Sequence, residues 1–137
     1  MEAHMPALQS LVLTDRAATP VNHTLVPSGR PSATGVATVA KGDGTLVGEI
    51  KYSISNRRVN GKTKTRVLFT KPTVATEVIN GISVPKVVRT AFVDATFTFD
   101  STSTAQERKD AIGMFQSSLD PSKTLVNAVL VDNEGVW

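Results

Sequence analysis

The chain has 137 residues, 40% of them hydrophobic, a formal net charge of +3 and a sequence pI near 9.5. That is a one-domain length with a modest core, easier to complete against a partner chain than alone. No cysteine is present, which excludes a disulfide framework, a cysteine zinc site and a thiol nucleophile; no segment approaches the ~20 apolar residues of a membrane span, and Met1 to Pro6 lack the basic start and apolar run of a signal peptide.

In chain order, residues 7–13 and 22–27 read as two strands, followed by a loop from Pro27 to Gly35. Val36 to Ala40 is a third short strand. Lys41-Gly42-Asp43-Gly44 is a turn cluster, because Asp-Gly tolerates the positive φ of a tight turn. Residues 46–55 alternate, with Ile50, Tyr52 and Ile54 on one face and Lys51, Ser53 and Ser55 on the other. Asn60-Gly61 marks a hairpin tip. Residues 63–70 return with Val67 and Phe69 on one face and Lys64, Arg66, Leu68 and Thr70 on the other, and Pro72 is expected to end the strand. Residues 73–85 read as a mobile connection or long hairpin loop with Asn80-Gly81 near its tip. Residues 86–99 form the longest strand, presenting Val87, Ala91, Val93, Ala95, Phe97 and Phe99 one way and Thr90, Phe92, Asp94 and Thr96 the other.

The period then changes to 3.6. Thr104-Ala105-Gln106-Glu107 is a capping box, and Ile112, Phe115 and Leu119 make one apolar stripe. Asp120-Pro121 reads as the start of a second helix, with aspartate as cap and proline in the first turn; Leu125, Val126, Val129 and Leu130 supply its buried side. Strands first and helices last imply an α+β domain with an antiparallel sheet, helices covering the apolar face.

Catalysis finds little material here. His4 and His23 are isolated in the N-terminal quarter, single acids such as Asp100 and Asp110 suit solvated roles, and no HExxH, GxSxG or phosphate-cradling glycine loop occurs. No metal, cofactor or small-molecule substrate is expected. The polar sheet face is more informative. From Lys51 to Lys71 there are seven basic residues and no acid. A run of this kind is ordinarily a solvated face, but Lys and Arg also neutralise phosphates, and looped RNA is read by stacking on aromatic rings and bonding to base edges. Phe92 with Asp94, beside Lys51, Lys64 and Arg66, has the groups for both.

The ordered series Gly35-Val36-Ala37-Thr38-Val39, Pro72-Thr73-Val74-Ala75-Thr76, Gly81-Ile82-Ser83-Val84-Pro85, Val88-Arg89-Thr90-Ala91-Phe92-Val93-Asp94-Ala95-Thr96-Phe97-Thr98-Phe99 and Ser103-Thr104-Ala105-Gln106-Glu107-Arg108 resembles the coat proteins of single-stranded RNA phages, the Q-beta type most nearly, over about residues 7–131. The resemblance implies one domain over 1–137: an N-terminal hairpin in 6–27, a five-stranded antiparallel sheet in 35–99 and two helices in 104–131. It implies a homodimer with interlocked helices and a continuous ten-stranded sheet, built into an icosahedral shell around single-stranded genomic RNA in the bacterial host cytoplasm. It places Thr76, Glu77, Val78, Ile79, Asn80 and Gly81 in a loop around the shell's symmetry axes, one that changes shape among subunits.

The resemblance further implies that the dimer binds an RNA hairpin at the start of the replicase gene and represses its translation. By position, Phe92 stands for the usual tyrosine that stacks a loop base, and Asp94 matches the polar residue two places on. Lys51, Ser53 and Ser55 fall on the strand lining adenine pockets, while Lys64 and Arg66 match RNA-facing positions of the next strand. Leu68 stands where a lysine is common, and the cysteines of the Q-beta axis loop are missing, so a shell without inter-subunit disulfides is expected. Two other classes need features of their own. A cellular RNA-binding sheet module would be a monomer and would alternate strands with helices, and an enzyme would need a convergent acid, base and nucleophile.

Overall fold

The structure is a computed structural model and describes residues 7–28, 35–41 and 48–137. Six strands follow one another, β1 (Leu11–Thr14), β2 (Asn22–Pro27), β3 (Val36–Lys41), β4 (Ile50–Val59), β5 (Lys62–Ile79) and β6 (Ile82–Asp100), and then two helices, α1 (Ala105–Ser118) and α2 (Thr124–Leu130). The α+β class with strands first and helices last is therefore the observed one. The strands form one sheet in chain order, β1 to β6, with antiparallel pairing read strand by strand from β1 to β5. Two compact units divide the chain, 1–98 and 99–137, and each is described by itself.

Period-two patterning sets the register. Tyr52 lies opposite Phe69, Ile54 opposite Val67, Ser53 opposite Leu68 and Ser55 opposite Arg66. Residues directly opposite share a face, so the apolar and polar sets predicted for these two strands segregate as expected. Tyr52 and Phe69 meet with ring centroids 6.3 Å apart at 60°, a tilted aromatic pair. Both hairpin tips in this half of the sheet are Asn-Gly: Asn60 and Gly61 have φ of 50° and 73°, Asn80 and Gly81 of 51° and 79°. Positive φ at both positions matches the twist of the flanking strands and restricts the residue choice to this kind of pair.

Several expectations are corrected. The sheet has six strands where five were expected, because the N-terminal hairpin β1–β2 is part of it. Pro72 does not end a strand, and residues 73–85 are not a loop, since β5 runs through Pro72 to Ile79 and β6 begins at Ile82. The ladder with β4 closes at Lys51 opposite Thr70. Pro72 thus lies past its last pair, where a missing N–H costs that ladder nothing. Val74, Thr76, Val78 and Ile79 are β-branched and favour extended backbone. The fourth strand runs Ile50–Val59 where 46–55 was expected, with 46–47 outside the described residues and 48–49 outside the strand, and the first is shorter, Leu11–Thr14. Residues 1–6, 29–34 and 42–47 are not described, so His4, most of the Pro27–Gly35 loop and the Gly42-Asp43-Gly44 turn lie outside the described residues.

The N-terminal hairpin joins the rest of the sheet through a short seam, Val26 opposite Ala40 and Pro27 opposite Val39. A side-chain chain reinforces it. Asp15 Oδ1 accepts from the backbone N–H of Ala17 (3.1 Å) and Val21 (3.0 Å), and Asp15 Oδ2 lies 2.8 Å from His23 Nε2. His23 Nδ1 lies 2.9 Å from Lys41 Nζ. An ammonium only donates, so Nδ1 accepts and the ring proton sits on Nε2, facing the carboxylate. The His23 bond, then the two backbone N–H groups, hold the Asp15 carboxyl well below the usual carboxylate range, at about 2.

In the second unit Thr104 caps α1, its Oγ1 accepting from the Glu107 N–H at 3.1 Å. The predicted second cap is displaced. Asp120 Oδ1 accepts from Ser122 N–H at 2.9 Å and its carbonyl from Lys123 N–H, forming a turn, and α2 starts only at Thr124 with Lys123 at its N-cap. A short polar side chain that bonds two residues on closes a local turn as readily as it caps a helix.

Burial is sparse. Leu25, Val39 and Ala40 are the buried apolar residues among those described, and neither helix has a buried residue. The predicted buried side of the helices is in fact exposed in the single chain: Ile112, Phe115, Leu119, Leu125, Val129 and Leu130 all stand in solvent.

Leu25 is fully buried, so Leu25→Ala is expected to cost ~2–5 kcal/mol, read as a lower urea midpoint at unchanged slope. The Asp15 carboxyl is depressed in the fold, so its contribution is present above the ordinary carboxylate value and is lost as pH falls through about 2. Amide exchange at Ala17 and Val21 is expected to accelerate across that acid window in the native chain, and to be already fast at neutral pH in Asp15→Ala.

Candidate nucleic-acid interface

Strand alternation and register build the candidate face. Lys51, Ser53, Ser55 and Arg57 of β4 lie opposite Thr70, Leu68, Arg66 and Lys64 of β5. On the other flank, Thr38 of β3 lies opposite Ser53, and their hydroxyls are 3.0 Å apart. Lys62 follows Lys64 and Arg66 by parity, lying opposite Val59. Five of the seven basic residues of the 51–71 block therefore share this face (Lys51, Arg57, Lys62, Lys64, Arg66), whereas Arg58 and Lys71 have the other parity. The cations are spread: Lys51 and Arg57 are six residues apart along β4, about 20 Å at ~3.3 Å per residue.

Asp94 of β6 joins the face through Arg66. The guanidinium donates from Nε to Oδ1 at 3.1 Å and from Nη2 to Oδ2 at 2.8 Å, a bidentate pair with both side chains about half exposed (55% and 53%). The hydrogen bond from Arg66, more than the opposite charge alone, holds the Asp94 carboxyl below its usual range, and Asp94 raises Arg66 in return. Two residues earlier on β6, Phe92 presents its ring 76% exposed. Strand period puts it on the face of Asp94. A ring this open offers its π-face to a base, and an ionised carboxylate accepts hydrogen bonds only, so it welcomes base amino groups and repels phosphate.

The seven predicted residues are thus all on strands β4, β5 and β6, but they do not form one point. Arg66 and Asp94 are bonded to each other, Ser53 is engaged with Thr38, and Lys51 stands at the far end of β4. Near the Asn60-Gly61 end, Val36, Ser55, Asn56, Arg57, Lys64, Arg66 and Thr96 line a concavity of about 370 Å³. Arg57 was missed as a candidate, yet its parity with Lys51, Ser53 and Ser55 was readable in the sequence. Val36 and Thr38 depend on the β3 register, which the sequence does not fix.

The predicted axis-loop residues divide between a strand and a turn. Thr76, Glu77, Val78 and Ile79 end β5, and Asn80-Gly81 is the tip. Glu77 and Lys86 form a 3.8 Å ion pair across this hairpin, while Val78, Ile79 and Ile82 are exposed at its end. Among the described residues no cluster of His, Asp or Glu has the grouping to hold a metal ion, and no helix is long and apolar enough to cross a membrane.

The fold recurs in viral shells. The virus-like particle of bacteriophage NT-214 matches with a TM-score of 0.83 and 28% identity, over 96% of this chain and all of that one. The bacteriophage GA protein capsid shares the fold with a TM-score of 0.74 at 21% identity, over 93% of this chain and 96% of that one. Architecture and relatives together define a structural shell subunit, not an enzyme. The family model of the levivirus coat protein matches residues 6–137, and the capsid protein of Pseudomonas phage PRR1 is 39% identical over 131 residues, 95% of this chain and 98% of that protein. The chain belongs to the levivirus coat protein family, and is a capsid component of a phage virion.

Proposed function

We propose that this coat protein assembles through homodimers into an icosahedral shell enclosing single-stranded RNA, and that the dimer binds an RNA hairpin on the polar face of its sheet, repressing replicase translation. The observation that carries the reading is the mismatch between apolar content and burial. The chain has 40% of its residues in hydrophobic types, yet leaves the stripes of both helices and Ile54 and Val93 of the sheet exposed. A second copy, its sheet joined edge to edge and its helices crossing over, gives those surfaces something to bury against and removes the free sheet edge. Relatives are known as virus-like particles and as a phage capsid protein. Both units then act as one coat-protein domain, since a single family match spans them.

The exposed tip residues Val78, Ile79 and Ile82 suit contacts around the shell's symmetry axes, with Thr76, Glu77, Asn80 and Gly81 completing that hairpin. For RNA, Phe92 supplies a stacking surface, Lys51 and Lys64 supply phosphate contacts, Ser53 and Ser55 offer hydroxyls to base edges, and Arg66 with Asp94 stands between them.

Two outcomes check this. The chain expressed in bacteria is expected to elute from size-exclusion chromatography as a large species with nucleic-acid-rich ultraviolet absorbance, and to appear as uniform round particles in the electron microscope; a nucleic-acid-free monomer would refute the assembly reading. Phe92→Ala is expected to weaken hairpin binding by ~1–3 kcal/mol, the value of a base–aromatic stack, with particle yield unchanged. Unchanged affinity in a filter-binding titration would remove Phe92 from the interface.

A further inference from the structure

Arg66 lies in a run of cations, and by sequence it looks like one more phosphate ligand. Its geometry says otherwise. Two N–H groups on one edge of the guanidinium, from Nε and Nη2, are given to the two oxygens of one carboxylate. This edge-on fork is the arrangement with which arginine otherwise grips a phosphate. With Asp94 in the fork, the edge is occupied and the positive charge is balanced. Lys64 and Arg57 lie opposite each other one step towards the hairpin tip, and among the described residues neither forms an ion pair with an acid.

We infer that Arg66 is a positioning residue that sets the plane of the Asp94 carboxylate for reading a loop base, and that it is not a phosphate contact. This rests on the RNA-binding reading of the face. The carboxylate stands on an open sheet surface, about half exposed, where an aspartate alone would turn about its side-chain torsions. Two simultaneous bonds fix that rotation. Each oxygen is left with one further acceptor direction, and these point away from the fork. The neighbouring ring of Phe92, on the same strand face, bounds the space in which a stacked base presents its edge. The pair therefore converts a charge into a direction. A base that offers an amino hydrogen along that direction gains a bond, and one that offers a carbonyl oxygen meets a fixed negative charge. Lysine at position 66 would keep the charge but lose the fork, because an ammonium is a point donor that does not define a plane.

The test uses assembled dimers of the full chain and a pool of short RNA hairpins with a fixed stem and a randomised loop. Two quantities are read for each variant: the slope of log affinity against log salt for the pool, and the base composition of the bound loops by sequencing. A lost phosphate contact lowers the slope by about 0.7–0.9. Lys64→Gln is expected to show that drop and keep the native loop preference. Arg66→Gln and Arg66→Lys are both expected to keep the native slope and relax the loop preference at one position, the same position that Asp94→Ala relaxes. In the Asp94→Ala background, Arg66→Gln is expected to relax nothing further, since the two act as one unit.

Other results overturn the inference separately from the reading beneath it. If Arg66→Gln lowers the slope as Lys64→Gln does, and Arg66→Lys restores both quantities, Arg66 is a phosphate contact and the positioning role is wrong while the RNA face stands. If the native protein binds the pool with no loop preference, or not at all, the face itself is misread and the inference falls with it.

Discussion

Everything in this molecule follows from a shortage of burial. A meander of six antiparallel strands has one face that alternation makes apolar, and two amphipathic helices carry stripes of their own, yet three apolar residues are buried among those described. At roughly 25 cal/mol per Å² of apolar surface removed from water, a chain in this state forgoes most of the stabilisation its composition can supply. The backbone bonds of the sheet hold the strands in register, but hydrogen bonds exchange with water at modest net gain. On the proposed reading, the remaining driving force comes from other copies. Self-assembly is then the way such a chain completes its fold.

The same constraint divides labour between the two sides of the sheet. The apolar parity of β4 and β5, Tyr52 against Phe69 and Ile54 against Val67, is committed to burial. The opposite parity is free of that demand and collects five basic side chains, the hydroxyls of Ser53, Ser55 and Thr38, and an open phenyl ring. A platform of this kind spaces its groups by the strand rise and the inter-strand distance, ~3.3 and ~4.8 Å. It therefore presents fixed points and not adaptable loops. Leu68, lying opposite Ser53 in the middle of the face, interrupts the cations and separates Lys51 from the group near the hairpin tip.

Much of this was legible in the sequence. Alternation at residues 50–55 and 63–70 gave faces that the register reproduces, Asn60-Gly61 and Asn80-Gly81 mark real tips, and Thr104 caps its helix. What failed shares one cause. By sequence Pro72 is a stop because proline lacks a donor, but whether a missing donor matters depends on whether a partner strand is still alongside, which is tertiary information; the ladder with β4 has already closed at Thr70. With a stop at Pro72 the stretch 73–85 reads as a loop, although its β-branched residues favour a strand. Asp120-Pro121 carries the signals of both a turn and a cap, and local rules do not choose between them. At the candidate face the sequence identified residue types and parity correctly but treated Arg66 and Asp94 as independent, because nothing along the chain brings residues 28 apart into contact.

That last pairing changes how charge on the face should be counted. Five cations share the side, but one is balanced within 3 Å by an acid. On the proposed reading, the pull on a phosphate backbone comes from the other four, and their positions, one at the far end of β4 and three towards the Asn60-Gly61 tip, define a track along the strands. Asp94 sets a negative point on that track through its direct bond to Arg66, two residues from the exposed ring of Phe92. Attraction that is spread out tolerates any sequence, since every nucleotide carries the same phosphate. A fixed acceptor beside a stacking surface does not. On the proposed RNA-binding reading, the face separates holding RNA in general from choosing one hairpin in particular, which is what a protein must do if it packages a whole genome and also recognises a single element within it.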